Sequence, residues 1–238
     1  MNKSLAELIY ISRKVGKDHC LTQGSSGNTS VKTQNGKFMF VKTSGTALKD
    51  MNTKRGWCKV SLQKVRKIGD KKIAKLSPKK REIEIAERLI AACEDKKNQP
   101  SIESNLHAFL DKYVIHLHPI MVCAFLITKN GKAELKKLFA RERPAPLWVP
   151  YANPGYALAK KIAKLTIGYR KKYRRLPQIL FLEKHGLFVS AASAKEALKL
   201  VGKVIKRCET KIKDSSPRRR LLNYDKIIAL CRCGEANN

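Results

Sequence analysis

Apolar and polar positions divide the chain into segments of two periods. Ser4-Leu-Ala-Glu7 has the form of a capping box and predicts a helix to about Val15, with Leu5, Leu8, Ile9 and Val15 on its apolar stripe. The period then falls to two. Ser30-Val31-Lys32 and Phe38–Val41 flank Asn35-Gly36, the pattern of a β-hairpin. Strands are expected near 58–62 and 72–76, and a helix over 79–95 with Ile83, Ile85, Ala86, Leu89, Ile90 and Ala91 on its apolar side. A second helix starts in Pro100-Ser101-Ile102-Glu103 and reaches about Leu110. Tyr113–His118 reads as a buried strand, followed by Pro119 at a permitted first helical position and an apolar run to 127. A basic connector with helical pattern covers 129–143, a loop 150–154 and a helix 156–165. Strands 178–183 and 187–190 flank Lys184-His185-Gly186. Ser193-Ala-Lys-Glu196 is a second capping box, opening a helix to about Ile212. Hairpins mixed with helices predict an α/β sandwich whose central sheet is mostly antiparallel and covered by helices, not a doubly wound parallel sheet. Residues 1–212 are expected to form one domain and 213–238 a basic tail.

Composition changes this picture in one respect. Of 238 residues, 51 are Lys or Arg and 19 are Asp or Glu, a formal charge of +32. Such a field attracts polyanions and phosphorylated small molecules. The basic residues sit in every segment, however, and no RNA-binding module is evident, so a lysine-rich bias on solvated faces is preferred to nucleic-acid binding. No apolar run approaches the roughly 20 residues of a membrane span. The polar start shows no signal-peptide pattern, and seven scattered cysteines read as reduced thiols, which together predict a cytoplasmic protein.

Five histidines are present, and two of them, His116 and His118, alternate within a strand pattern. Residues i and i+2 share a face, so two imidazoles can aim at one point. His185, beside Gly186, can add a third nitrogen. Three histidines with an open fourth position form a catalytic type of zinc site; the same residues can also be hydrogen-bonded core histidines. Glu103 is one of few acids and stands 13 residues before His116. It can serve as a general acid/base or merely complement a helix N-terminus. The stretches Gly24–Ser30 and Thr43–Thr46 can offer amides and hydroxyls to an anion, or be ordinary turns. Neither carries a P-loop or a dinucleotide fingerprint.

The order of these features is specific. Gly27-Asn28-x-Ser30, Thr43-Ser44-Gly45-Thr46, Ser101-x-Glu103, His116-x-His118 and Lys184-His185-Gly186 together resemble the class II aldolase/adducin family over residues 4–210. Relatives of that family include fuculose- and rhamnulose-phosphate aldolases, ribulose-phosphate epimerases and methylthioribulose-phosphate dehydratases. The resemblance implies one Zn2+ per subunit on His116, His118 and His185, Glu103 as acid/base, and Gly27, Asn28, Ser44, Gly45 and Ser101 around a phosphate. It also implies a homotetramer with sites at subunit boundaries. The implied reaction is retro-aldol cleavage of a phosphorylated ketose through a zinc-stabilised enediolate, giving dihydroxyacetone phosphate and an aldehyde.

Two departures stand out. Ile102 replaces a serine that aldolases of this kind often place directly before the glutamate. No tyrosine matches the family's catalytic one; Tyr113, Tyr151 and Tyr224 are only candidates. Epimerase or dehydratase chemistry on the same metal is the enzymatic alternative, and a non-catalytic scaffold that binds polyanions is the other. All three histidines are present, which favours the enzyme.

Overall fold

The computed structural model describes residues 2–94 and 98–215. One seven-stranded sheet organises them, in the order β3-β2-β1-β4-β7-β6-β5. The strands are β1 (Asn28–Lys32), β2 (Phe38–Lys42), β3 (Trp57–Ser61), β4 (Tyr113–Leu117), β5 (Leu147–Val149), β6 (Ile179–Leu182) and β7 (Gly186–Ala191). All neighbouring pairs run antiparallel except β5 with β6. The β1–β2 connection is the expected hairpin. Gly36 takes a left-handed φ of 65°, and the Asn35 side chain accepts from the amide of Lys37.

Helices cover both faces. On one face, α1 (Lys3–Gly16), α6 (Ile120–Leu126) and α9 (Ala194–Ser215) pack over Val31, Ile115, Leu117, Leu187 and Val189. On the other, α2 (Leu62–Arg66) and α4 (Pro78–Ala92) pack over Met39, Val41 and Val60. On that second face α5 (Ser104–His107) and α8 (Tyr156–Tyr173) cover Val114, Leu180 and Phe188. Two-sided burial explains why β4, β6 and β7 read as continuous apolar runs rather than alternating ones. Two short helices, α3 (Lys71–Ala74) and α7 (Gly131–Leu138), complete the described set.

Several local expectations are corrected. The strand expected at 72–76 is α3, because the Asp70 carboxylate accepts from the amides of Lys72 and Ile73 at 3.0 and 3.1 Å and caps a helical turn. Ser4 is not the first cap. Asn2 takes that role at 2.9 Å, and Glu7 accepts instead from the Tyr113 hydroxyl at 2.6 Å. Ser193 does accept from the Glu196 amide, at 3.2 Å, but the Glu196 carboxylate is taken by Gln178. The helix expected from 101 to 110 is the single turn of α5, with Glu103 at its N-cap. α8 runs on to Tyr173, its last turn carrying Arg170, Lys171 and Lys172, which suit the negative helix end. β5 was not anticipated; three residues are too few to show a period.

Candidate active site

The central strands bring three imidazoles together. His116 lies in β4 opposite Phe188 of β7, and its ring stacks on that phenyl at 4.1 Å between centroids. Its Nδ1 donates to the Leu187 carbonyl at 3.0 Å, which leaves a bare lone pair on Nε2. The Nε2 atoms of His118 and His185 stand 3.0 and 3.1 Å from that atom. One ligand atom from each of the three lies within 4.8 Å of the other two. Burial pushes His116 down to about 3 despite the opposing charge of Glu103, and burial with the charge of His185 lowers His118. Both are thus neutral imidazoles near pH 7, the form that binds metal.

Gly186 makes this convergence possible. A Cβ at that position would stand 2.6 Å from both the Leu117 carbonyl and the His118 ring, and 3.1 Å from His116. His185 is presented by a tight turn in which Lys184 takes a left-handed φ of 54°. The neighbouring Cys123 thiol is directed at the His185 carbonyl at 3.9 Å; burial pushes it up to about 11, so it is not a thiolate nucleophile.

β1 positions the carboxylate. Its alternate residues Asn28, Ser30 and Lys32 are polar, fully covered, and all meet α5 or its flanks. Asn28 Nδ2 donates to Glu103 Oε2 at 2.6 Å and lies 3.4 Å from Ser101 Oγ. Ser30 Oγ is 2.9 Å from His107 Nδ1. Lys32 Nζ donates to the carbonyls of His107, Leu110 and Asp111 at 2.8, 2.8 and 2.5 Å. Burial, aided by the charge of Arg66, pushes the Lys32 ammonium down to about 7. Glu103 is thereby held with Oε1 3.0 Å from His185 Nε2 and Oε2 3.3 Å from His116 Nε2. Burial opposes its ionisation, but its contacts with His116 and His185 and the hydrogen bond from the Asn28 amide hold it well below the usual carboxylate range.

This donor set fits a divalent ion. A bare imidazole nitrogen facing a carboxylate oxygen at 3.3 Å is a contact between two acceptors, which a cation between or beside them relieves. Ligand atoms on a tetrahedral ion with bonds of 2.0–2.1 Å stand about 3.3 Å apart, close to the spacings from His116 Nε2 to His118 and His185.

The remaining expected residues divide. Gly27 (φ 70°) packs its α-carbon against the His116 carbonyl, where a Cβ would come to 2.8 Å. Asn28 and Ser101 touch each other and the carboxylate as described. Ser44 and Gly45 form an exposed loop, tied to the Ser101 segment through the Ser44 amide and the Gln99 carbonyl at 2.8 Å. Ile102 is 41% exposed and contributes no hydrogen bond there. Sequence reasoning missed Lys42. This residue is buried at the end of β2; its Nζ donates to the Ser25 carbonyl at 2.9 Å, and its own carbonyl accepts from the Ser101 amide at 3.1 Å. Burial pushes it down to about 8, opposed by the charge of Glu103. A lysine inside a strand pattern next to Thr43-Ser44-Gly45 was the available signal.

His107 is fully buried, edge-on to Phe188 behind His116. Tyr113 is bound to Glu7 on α1, away from the imidazoles. Tyr151 is 48% exposed, and its hydroxyl donates to Asn153. Trp148 packs against the core rather than lining a pocket. Tyr224, Cys231, Cys233 and most of the 213–238 segment lie outside the described residues.

The chain belongs to the family of the class II aldolase and adducin N-terminal domain, whose sequence model matches residues 6–212. Members of this family are typically metal-dependent, in accord with the histidine cluster. The chain is similar to the uncharacterized oxidoreductase YuxG of Bacillus subtilis, at 29% identity over 221 residues. That match covers 89% of this chain but only 30% of the relative's length. The N-terminal class II aldolase domain of a conserved protein from Thermoplasma acidophilum superposes with a TM-score of 0.73 at 27% identity, covering 89% of this chain and 95% of that one. An L-fuculose 1-phosphate aldolase shares the fold, with a TM-score of 0.62 at 15% identity over 98% and 96% of the two chains. Among the described residues no helix is long and apolar enough to cross a membrane.

Proposed function

We propose that this protein is a zinc-dependent aldehyde-lyase that cleaves a phosphorylated ketose to dihydroxyacetone phosphate and an aldehyde. The observation that carries this reading is the convergence of three imidazoles on one point with a carboxylate at 3.0–3.3 Å from two of them. His116, His118 and His185 are the zinc ligands in this reading. The bound ion supplies a Lewis acid that draws electrons from the ketose carbonyl.

The chain's own residues do the rest. The Leu187 carbonyl fixes the His116 tautomer so that Nε2 stays a ligand. Glu103 takes the proton from the C4 hydroxyl as the C3–C4 bond breaks. It then returns a proton to C3, the carbon left electron-rich. Asn28 holds the carboxylate in line for both transfers. Gly27, Asn28, Ser44, Gly45 and Ser101 hold the phosphate, and Lys42 adds a positive charge where Ile102 supplies no hydroxyl. A homotetramer in the cytoplasm is part of this reading, with each site bordered by a second subunit.

The test is incubation of zinc-loaded protein with a panel of ketose 1-phosphates, with coupled detection of dihydroxyacetone phosphate. Zinc-dependent release from at least one sugar supports the proposal. A rearranged or dehydrated sugar with no three-carbon product would replace the aldolase with the epimerase or dehydratase alternative.

A further inference from the structure

A small, mostly apolar cavity with a few polar groups in its wall lies apart from the imidazoles, between α2, α5 and α8. It measures about 120 Å3, and Arg66, Gly69, Asn105, Phe109, Tyr156 and Lys160 are among its walls. Three features of it are unexplained by packing. Asn105 is 4% exposed, and its Oδ1 is buried with no hydrogen-bond partner, which is costly to leave so. Arg66 donates to the Ala108 carbonyl at 3.3 Å, and Lys160 lies over the Tyr156 ring, yet neither forms an ion pair among the described residues. Arg66 also works against the charge of buried Lys32, which Asp111 in turn favours, so Arg66 brings positive charge to this side of α5.

We infer that this cavity binds a small oxyanion carrying an O–H group, of the size of inorganic phosphate. Arg66 and Lys160 would meet its negative oxygens. Asn105 Oδ1 would accept its O–H, the one donor that such an anion brings. Phe109 and Tyr156 supply apolar walls that strengthen both interactions. Asn105 stands two residues beyond Glu103 on the same turn, so the cavity adjoins the element that carries the carboxylate. It shares none of the residues assigned to metal, acid/base or sugar phosphate, and the inference holds whatever reaction the imidazoles serve.

Calorimetric titration of the full chain with inorganic phosphate tests this. Lys42→Met is used as the background, to remove the charge of the proposed sugar-phosphate loops. Two independent changes then address the cavity. Arg66→Ala with Lys160→Ala removes its cations. Gly69→Val fills it without touching charge, because a Cβ there meets only Tyr156 Cε2, at 4.0 Å. The expected result is phosphate binding in the background protein that each change weakens by about tenfold or more. Sulfate, which carries no O–H near neutral pH, is expected to bind about tenfold more weakly than phosphate. Absence of phosphate binding in the background protein would overturn the inference. So would unchanged binding in both variants with native circular dichroism, or equal binding of sulfate.

Discussion

The imidazole corner and the Ser44-Gly45 loop are built on opposite principles. His116 and Asn28 sit opposite one another on central strands, covered on both faces, with Phe188 stacked behind the ring. Ser44 and Gly45 are exposed, and a Cβ on Gly45 would meet nothing within 4 Å. The corner tolerates little change: even one carbon at Gly186 would collide with His118 and a backbone carbonyl. Around Ser44 the loop has open space, although the left-handed φ of Gly45 (76°) strains any side chain there. In the proposed reading, chemistry that needs close placement is mounted on the sheet, and part of the phosphate contact falls to an exposed loop.

Four substitutions sharpen that contrast. Glu103→Gln is expected to leave zinc content unchanged and to lower kcat by about 10²–10⁴-fold, the range of a general acid/base; turnover assays on zinc-loaded protein check this. Lys42→Met, on the loop side, is expected to raise KM for the phosphorylated substrate about tenfold or more. That corresponds to loss of one charge-assisted hydrogen bond of about 1.5–3 kcal/mol, with a smaller effect on kcat.

Lys32→Met tests the brace under α5. Denaturant titration at pH 7 is expected to show a loss of about 1–3 kcal/mol from the three carbonyl contacts. The pH dependence has a definite sign. The folded-state ammonium titrates near 7 and the unfolded one near 10.5, so the unfolded chain holds more protons between these values. Lys32 therefore makes wild-type stability rise as pH climbs from about 7 towards 10.5, and the variant loses that contribution. Ile102→Ser is the mildest change. It restores a hydroxyl to an exposed position and is expected to tighten phosphate binding a few-fold, by roughly 0.5–1 kcal/mol.

Much of this corner was legible from spacing alone. Strand periodicity placed His116 and His118 on one face, and the small residue after His185 marked a close backbone approach. The Asn35-Gly36 turn and the antiparallel character of the sheet followed from local chemistry as well. The strand-like segment at 72–76 misled because a cap at Asp70 outweighed a weak alternation. Lys32 and Lys42 were illegible for a different reason. In a chain of 51 basic residues, a buried lysine looks like its solvated neighbours until the packing around it is known. β1 shows the same limit: polar alternation at Asn28, Ser30 and Lys32 reads as a solvent face, yet these residues hold α5 from beneath.

Metal content per chain bears most directly on the central claim. Protein purified without chelator, and after reconstitution with zinc, would be analysed by elemental mass spectrometry beside His116→Ala. The account predicts about one zinc per chain in the wild type and a loss of most of it in the variant. Full zinc retention by a folded His116→Ala protein, or no zinc in reconstituted wild type, would contradict it.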